Sequence, residues 1–390
     1  MKKNTGFLKA AGIGLLYGSF LLGCTSKNNT APKMSAEKLA TVVPVTAAIS
    51  SFVHPGIINT KESLDFIRTD AIAGNAIRLS GNQVLTDFTD ANPMPASFPA
   101  VVYVKGGGGT PTEDQIRKDA ILAYAWALRW AKTGNNTYQE NAKAILNGWA
   151  GHFQRYDVVS GTSVAQTWLE AAWVAPSFAA AAEIIRYYKV NGTDGAAWAS
   201  SDIDAFDDFL NNLKNNYVNK LVDDVDAGGN TNNWGVSAGY AKMAMGVFLN
   251  SSSTYEDGKR IILKLLPVNI NSSTGEVLEL CSRDCTHPQY TMCGFTYAAE
   301  IARIQGDNSL YEARSKSIRN GWKWIEGIYE GGGCRNCSSQ VIQPAVEVAF
   351  NYYQSDLVGA LRNRQAPYGV KSDNTFLGFT TYTHYAIGTN

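Results

Sequence analysis

Between Leu278 and Tyr290 the chain reads LELCSRDCTHPQY, which sets Glu279, Arg283, Asp284, His287, Gln289 and Tyr290 around two cysteines. Arginine grips a carboxylate through a fork of parallel N–H donors, and tyrosine or histidine can carry a proton. Together they suit an acidic substrate that gives up a proton. The same residues also suit a helix N-terminus with an ion pair from Arg283 to Asp284 or Glu279 and a satisfied histidine.

A second polar cluster, GGNTNNWGVSAGY, runs from Gly228 to Tyr240. Asn232 and Asn233 either cap the helix that begins there or face a ligand, with Trp234 beside them and Tyr240 further along. A third, VYVKGGGGTPTED, places Lys105 before Gly106–Gly109. Four glycines make a mobile loop, suited to a lid. They make a poor phosphate cradle, because no Lys-Ser or Lys-Thr pair follows at the required spacing. Lys105 and Arg68 are further cations able to grasp neighbouring acidic groups, and Gln289 stands next to Tyr290.

The elements that must position these residues read as helix after helix. Thr112 with Gln115 suggests a capping box, after which apolar residues recur at helical spacing until Gly134. A second helix follows directly, giving an antiparallel hairpin. Helical spacing continues over 167–188, 201–220, 233–249, 254–265, 287–305, 309–329 and 341–353. Strand-like stretches are few: Val101 to Val104, Val277 to Leu280, and the tail from Phe376 to Tyr385. No linker divides residues 46–390, and the expected fold is all-α, an (α/α) toroid or incomplete barrel of antiparallel hairpins with few short strands. Most tryptophans, at helical spacing beside Ala and Leu, belong to the core, and some are available to stack on sugar faces.

Composition narrows the partners. The chain has 390 residues, 45% of them hydrophobic, with 34 basic and 34 acidic side chains. A zero net charge gives no global field for nucleic acid or an anionic membrane. At the N-terminus, Lys2 and Lys3 precede an apolar run and then LLGC, ending at Cys24. This resembles a bacterial lipoprotein signal over residues 1–23, with Cys24 lipidated and 24–45 a polar tether. The protein is then expected as a monomer on the bacterial outer membrane, on its periplasmic or surface face, held by lipid alone. Cys281, Cys285, Cys293, Cys334 and Cys337 remain. In an oxidising compartment they read as disulfides with an odd thiol over, and Cys281, Cys285, Cys334 and Cys337 also read as four zinc ligands.

The element Arg283-Asp284-Cys285-Thr286-His287-Pro288-Gln289-Tyr290, followed by YAAEIARIQGD from Tyr297, resembles the alginate lyase family of polysaccharide lyases. The likeness extends to HPGIINTKESLDFIR at His54 to Arg68, to LNGWA, and to FAAAAEIIRYY at Phe178 to Tyr188. It implies a helical toroid that cleaves an anionic uronate polymer, with no metal or cofactor. Carried over by position, Tyr290 resembles the catalytic tyrosine, Arg283 its partner arginine and Asn233 the asparagine that helps neutralise the substrate carboxylate. Trp234 departs from the pattern, standing where many members have histidine.

A uronate chain is cut by removing the C5 proton and expelling the C4 oxygen. Arg283 and Asn233 would stabilise the enolate-like charge that develops, and Tyr290 would serve as base and then acid, with His287 bonding the tyrosine or the sugar. A helical-toroid glycoside hydrolase would instead need two carboxyls across the scissile bond, for which Glu170 and Glu279 are available. A non-catalytic glycan-binding lipoprotein would need neither Arg283 nor Tyr290.

Overall fold

The computed structural model describes residues 49–106, 109–371 and 373–388. The expected signal segment, Cys24, the tether and part of the glycine loop lie outside them. In chain order the described elements are α1 (Lys61–Ile72), α2 (Ala76–Ala91), β1 (Val101–Val104), α3 (Pro111–Thr133), α4 (Asn136–His152), β2 (Arg155–Val158), α5 (Ala165–Tyr187), β3 (Lys189–Val190) and β4 (Asp194–Gly195). Then come α6 (Ser200–Leu213), a π turn (Lys214–Val218), α7 (Asn219–Asp226), α8 (Asn233–Phe248), α9 (Ser252–Asn269) and α10 (His287–Ile304). The last are α11 (Ser309–Tyr329), α12 (Ala345–Tyr353), α13 (Asp356–Asn363) and α14 (Thr380–His384). Helix α11 is broken by left-handed residues at Arg314, Ser315 and Lys316.

The start of α3 shows how local chemistry sets a boundary. The Thr110 hydroxyl accepts from Glu113 N at 3.2 Å, and the Glu113 carboxylate accepts from Thr110 N at 3.3 Å. The capping box is therefore Thr110 with Glu113, not Thr112 with Gln115. Pro111 decides this, since its fixed φ suits the first helical position, where its missing N–H is not needed. At the other end Gly134 adopts φ 71°, the left-handed conformation that terminates helices at little cost to glycine.

Helices α3, α5, α8, α10 and α12 each pack on the next, while α4, α6, α9 and α11 lie against their hairpin partners or neighbours outside. The inner helices are buried nearly all round, as helices in the middle of a large core must be. In α8 only Trp234 is not buried, and in α10 only His287 and Arg303. Backbones touch where side chains vanish: a Cβ on Gly258 of α9 would sit 2.6 Å from the Gly239 carbonyl of α8. The short α14 packs on α12 and on α1 and α2, and the last two pack on α3, so the circuit closes. Arg78 of α2, fully buried, pins this closure by donating to the Asp70 carboxylate at 2.9 Å and to the Tyr382 and Tyr385 carbonyls. The fold is an (α/α) toroid.

Strand content is small. β1 pairs in parallel with β2, from Val101 opposite Arg155 to Val104 opposite Val158, and β3 with β4 form a short hairpin. Two expected strands are corrected. Val277 makes only an isolated bridge to Ile270, and the segment after Leu280 turns away toward the disulfides. The tail carries α14, because Thr380 to His384 are buried on both sides against helices and have no strand partner among the described residues.

The cysteines resolve into Cys281–Cys334 and Cys285–Cys337 disulfides, with Cys293 a buried free thiol. Four sulfurs bonded in pairs have no thiolates to offer, so the alternative zinc reading falls. Both bridges tie the loop before α10 to the segment after α11.

Candidate active site

The hairpin topology points α3, α5, α8 and α10 the same way, and their N-terminal halves meet at one rim. Arg117 in the second turn of α3 reaches Glu170 near the start of α5. Trp173 on α5 meets Tyr290 in the first turn of α10, edge to face with centroids 6.0 Å apart. Asn233, the first residue of α8, donates to Glu279 in the loop before α10 at 2.9 Å. Helix N-termini carry the positive end of the peptide dipoles, and here side chains already cap three of the four: Thr110 with Glu113 on α3, Asn232 on α8 and Asp284 on α10.

Glu279 organises one side. Its backbone is held at φ 73°, a conformation that costs a non-glycine residue free energy and persists only where surroundings impose it. Its carboxylate accepts from Asn233, from Asn232 at 3.3 Å and from Arg283 Nη1 at 2.8 Å. Asn232 also caps α8 by accepting from Trp234 N at 3.2 Å. Asn233 is 1% exposed, yet its Oδ1 has no partner. A buried amide oxygen left unpaired costs free energy; being an acceptor it offers nothing to a carboxylate, and the donor end of Asn233 is the one bonded to Glu279.

Arg283 is half-exposed, so its fork keeps donors toward solvent, and its Nε lies 3.8 Å from Asp284. Asp284 starts α10 by accepting from Thr286 N at 2.8 Å and His287 N at 2.9 Å, and it holds His287 Nδ1 at 2.6 Å. Burial works against the Asp284 charge, but those N–H groups and the imidazole outweigh it and keep the carboxyl below its usual range. The His287 ring then meets the Tyr290 ring edge to face at 5.6 Å. Asn233, Glu279, Arg283, Asp284, His287 and Tyr290 thus form one continuous chain of contacts.

The Tyr290 hydroxyl points the other way. It donates to Asp373 Oδ2, whose second oxygen accepts from Thr375 N at 3.2 Å. Burial first, and the Asp373 anion second, push the phenol well above its ordinary range, while Arg117 pulls it down. The guanidinium acting on Tyr290 is therefore Arg117, whereas Arg283, expected in that role, is engaged with Glu279. Arg117 lies over the Trp173 ring, 4.8 Å from its centroid, and is clasped by Glu113 at 2.6 Å and by Glu170. Burial and the nearby Glu170 raise Glu113 to about 7, against the pull of Arg117. Lys371 lies near Asp373 and Cys293, and burial lowers its ammonium.

The remaining expected site residues separate. Lys105 lies at this rim: its N–H donates to Glu113 at 3.0 Å and its residue is exposed. Trp234 is half-buried beside Asn233. Gln289 is fully used inside, donating to the Cys285 and Val341 carbonyls and accepting from Gln343 N. Tyr240 is buried against Tyr297 in the core, too deep to touch a polymer. Arg68 binds the Lys132 carbonyl at 3.0 Å, at the far end of α3. At 1.5 Å per residue that is roughly 20 Å from Arg117. Glu170 and Glu279 each have both oxygens engaged by arginine or amide donors.

Residues 100–326 match the sequence profile of the alginate lyases. The chain belongs to the alginate lyase family. No curated protein matches it. Alginate lyase A1-III from Sphingomonas species A1 superposes with a TM-score of 0.60 at 17% identity, covering 85% of this chain and 98% of that one. A tyrosine-to-phenylalanine variant of that lyase, complexed with a tetrasaccharide, gives 0.60 at 15% identity, with the same coverage. An alginate lyase from Bacteroides ovatus gives 0.62 at 11% identity, covering 86% and 100%. At such identities the likeness is one of fold. Membership of the alginate lyase family makes the chain a polysaccharide lyase acting on an anionic polysaccharide. Lys371 and Asp373 lie beyond the matched region.

Proposed function

We propose that the protein cleaves alginate or a related polyuronate by β-elimination, with Tyr290 moving the proton and Arg283 and Asn233 neutralising the substrate carboxylate. The observation that supports this reading is the chain of contacts from Asn233 to the Tyr290 ring, beyond which the hydroxyl turns toward Asp373 and Arg117.

The steps follow from charge. An ionised uronate resists losing its C5 proton because the product would carry a second negative charge. The Arg283 donors that Glu279 leaves free and the second Nδ2 hydrogen of Asn233, whose first goes to Glu279, hold that developing enolate, and fixed donors need no reorganisation as it forms. Tyr290 takes the proton from C5. The enolate collapses, the C4–O4 bond breaks with its electrons going to oxygen, and Tyr290 returns a proton to O4. One polymer becomes two, the new non-reducing end carrying a C4–C5 double bond. His287, held by Asp284, keeps the tyrosine ring in place. The half-buried Trp234 is available to stack on a sugar ring, and Lys105 to hold a neighbouring uronate.

A panel of polymannuronate, polyguluronate and glucuronan, followed by ultraviolet absorbance near 235 nm, tests the reading. Absorbance should rise with at least one polymer and vanish in Tyr290→Phe. Reducing ends without absorbance would mean hydrolysis, and binding without either product would mean a non-catalytic receptor.

We also propose an exported monomer anchored to the outer membrane through lipid on Cys24. Two disulfides support an oxidising compartment. Cys24→Ala should release the protein from the membrane fraction.

A further inference from the structure

We infer that Asp373 is the proton partner of Tyr290: the two side chains share one proton and act as a dyad in the elimination. The inference rests on the lyase reading and extends it to a residue of the C-terminal tail, outside the region matched to the family.

The geometry is built rather than incidental. Asp373 Oδ2 takes the Tyr290 hydroxyl hydrogen, and Oδ1 is fixed by Thr375 N at 3.2 Å. The next residues are clamped on α10. Phe376 is buried against the Tyr290 ring at 5.6 Å, and Tyr297 donates to the Leu377 carbonyl. The carboxylate is thereby held against the phenol by the residues that follow it.

The chemistry needs such a group. A phenol has an ordinary pKa of about 10, and here burial and Asp373 push it higher still. At neutral pH the resting side chain is the phenol, which donates a proton well and accepts one poorly. A carboxylate already bonded to its hydroxyl removes that difficulty. As the Tyr290 oxygen takes the C5 proton, its own proton passes to Asp373 Oδ2, and the C5–H electrons move into the substrate carboxylate. When O4 leaves with the C4–O4 electrons, Tyr290 gives it a proton and regains one from Asp373. The pair ends as it began, and no other reactant is consumed. Arg117 and Glu113 of α3, Glu170 of α5, His287 and Cys293 of α10, and Lys371 of the tail are the titratable or charged groups around the dyad.

Asp373→Asn and Asp373→Glu test this. The asparagine variant should lose about 10²-fold or more in kcat with KM changed less than about threefold, and the acidic limb of its kcat profile should move. The glutamate variant should recover part of kcat. Without the carboxylate, the Tyr290 Cζ resonance of protein labelled with ring carbon-13 tyrosine should shift at neutral pH, the resonance being assigned by its absence in Tyr290→Phe. That spectrum needs no substrate, so it judges the dyad even if the lyase reading fails. Unchanged or increased kcat in Asp373→Asn, equal loss in both variants with the limb in place, or no tyrosine shift would overturn the inference. Loss in Tyr290→Phe alone would leave the lyase reading standing without the dyad.

Discussion

Arg283 Nη1 lies 2.8 Å from Glu279 Oε1, and the same carboxylate holds the amides of Asn232 and Asn233. Glu279 thus aligns donors from two different elements, the loop before α10 and the start of α8. A neutral side chain of the same size would keep the packing and lose the grip on Arg283. Glu279→Gln should therefore lower kcat/KM on a cleaved polyuronate by about 10²-fold, the typical cost of ångström-scale misplacement. Arg283→Lys should not restore what Arg283→Ala loses, since an ammonium lacks the planar fork. The 235 nm rate measures both.

Reduction of the two bridges should act on this rim before it acts on the whole fold. Cys281–Cys334 encloses 53 residues of separation and Cys285–Cys337 encloses 52, and both flank Arg283. Losing one bridge should cost roughly 2–4 kcal/mol of stability. Activity should fall with added dithiothreitol at temperatures where circular dichroism still reports helix. Parallel loss of the two signals would contradict this ordering.

Arg78 carries the ring closure. It is fully buried and bonded to Asp70, Tyr382 and Tyr385. Arg78→Ala leaves Asp70 and two carbonyls without their donor and should destabilise by about 3–5 kcal/mol in urea unfolding. The tail bearing α14 should also become protease-sensitive.

Glu113 gives stability a pH slope of known sign. Burial and Glu170 lift it from 4.5 to about 7 in the folded chain. Between those values the folded form keeps a proton that the unfolded form has released. Its contribution is whole below pH 4.5 and is lost as pH rises through 7, on the order of 1–3 kcal/mol. Glu113→Gln, whose amide oxygen still accepts from Lys105 N and Thr110 N, should flatten the melting temperature against pH across that window.

Much of this architecture was legible in the chain because its signals are local. The helical spacing of α3, α5, α8 and α10, the stop at Gly134, and the dense polar run from Glu279 to Tyr290 are read within a single turn or loop. The capping box slipped by two residues because Thr110 and Thr112 both offer a hydroxyl, and only Pro111 separates them. What escaped is long-range. Glu113 and Arg117 at helical spacing form a visible pair, yet nothing local says that Glu170 completes it. Asp373 sits in a tail with no periodicity, and its meeting with Tyr290 exists only once the ring has closed. Tyr240 and Gln289 misled for the opposite reason: polar ends beside a promising loop suggest a site, and only packing reveals that they point inward.

The convergence of the inner helices at one rim also bears on how such enzymes diverge. An attraction supplied by peptide groups belongs to no side chain, so no single substitution can delete it. Replacing Trp234, which stands beside Asn233, would leave those helix ends where they are. Lineages are then free to trade side chains for new sugar stereochemistry without first rebuilding their hold on charge.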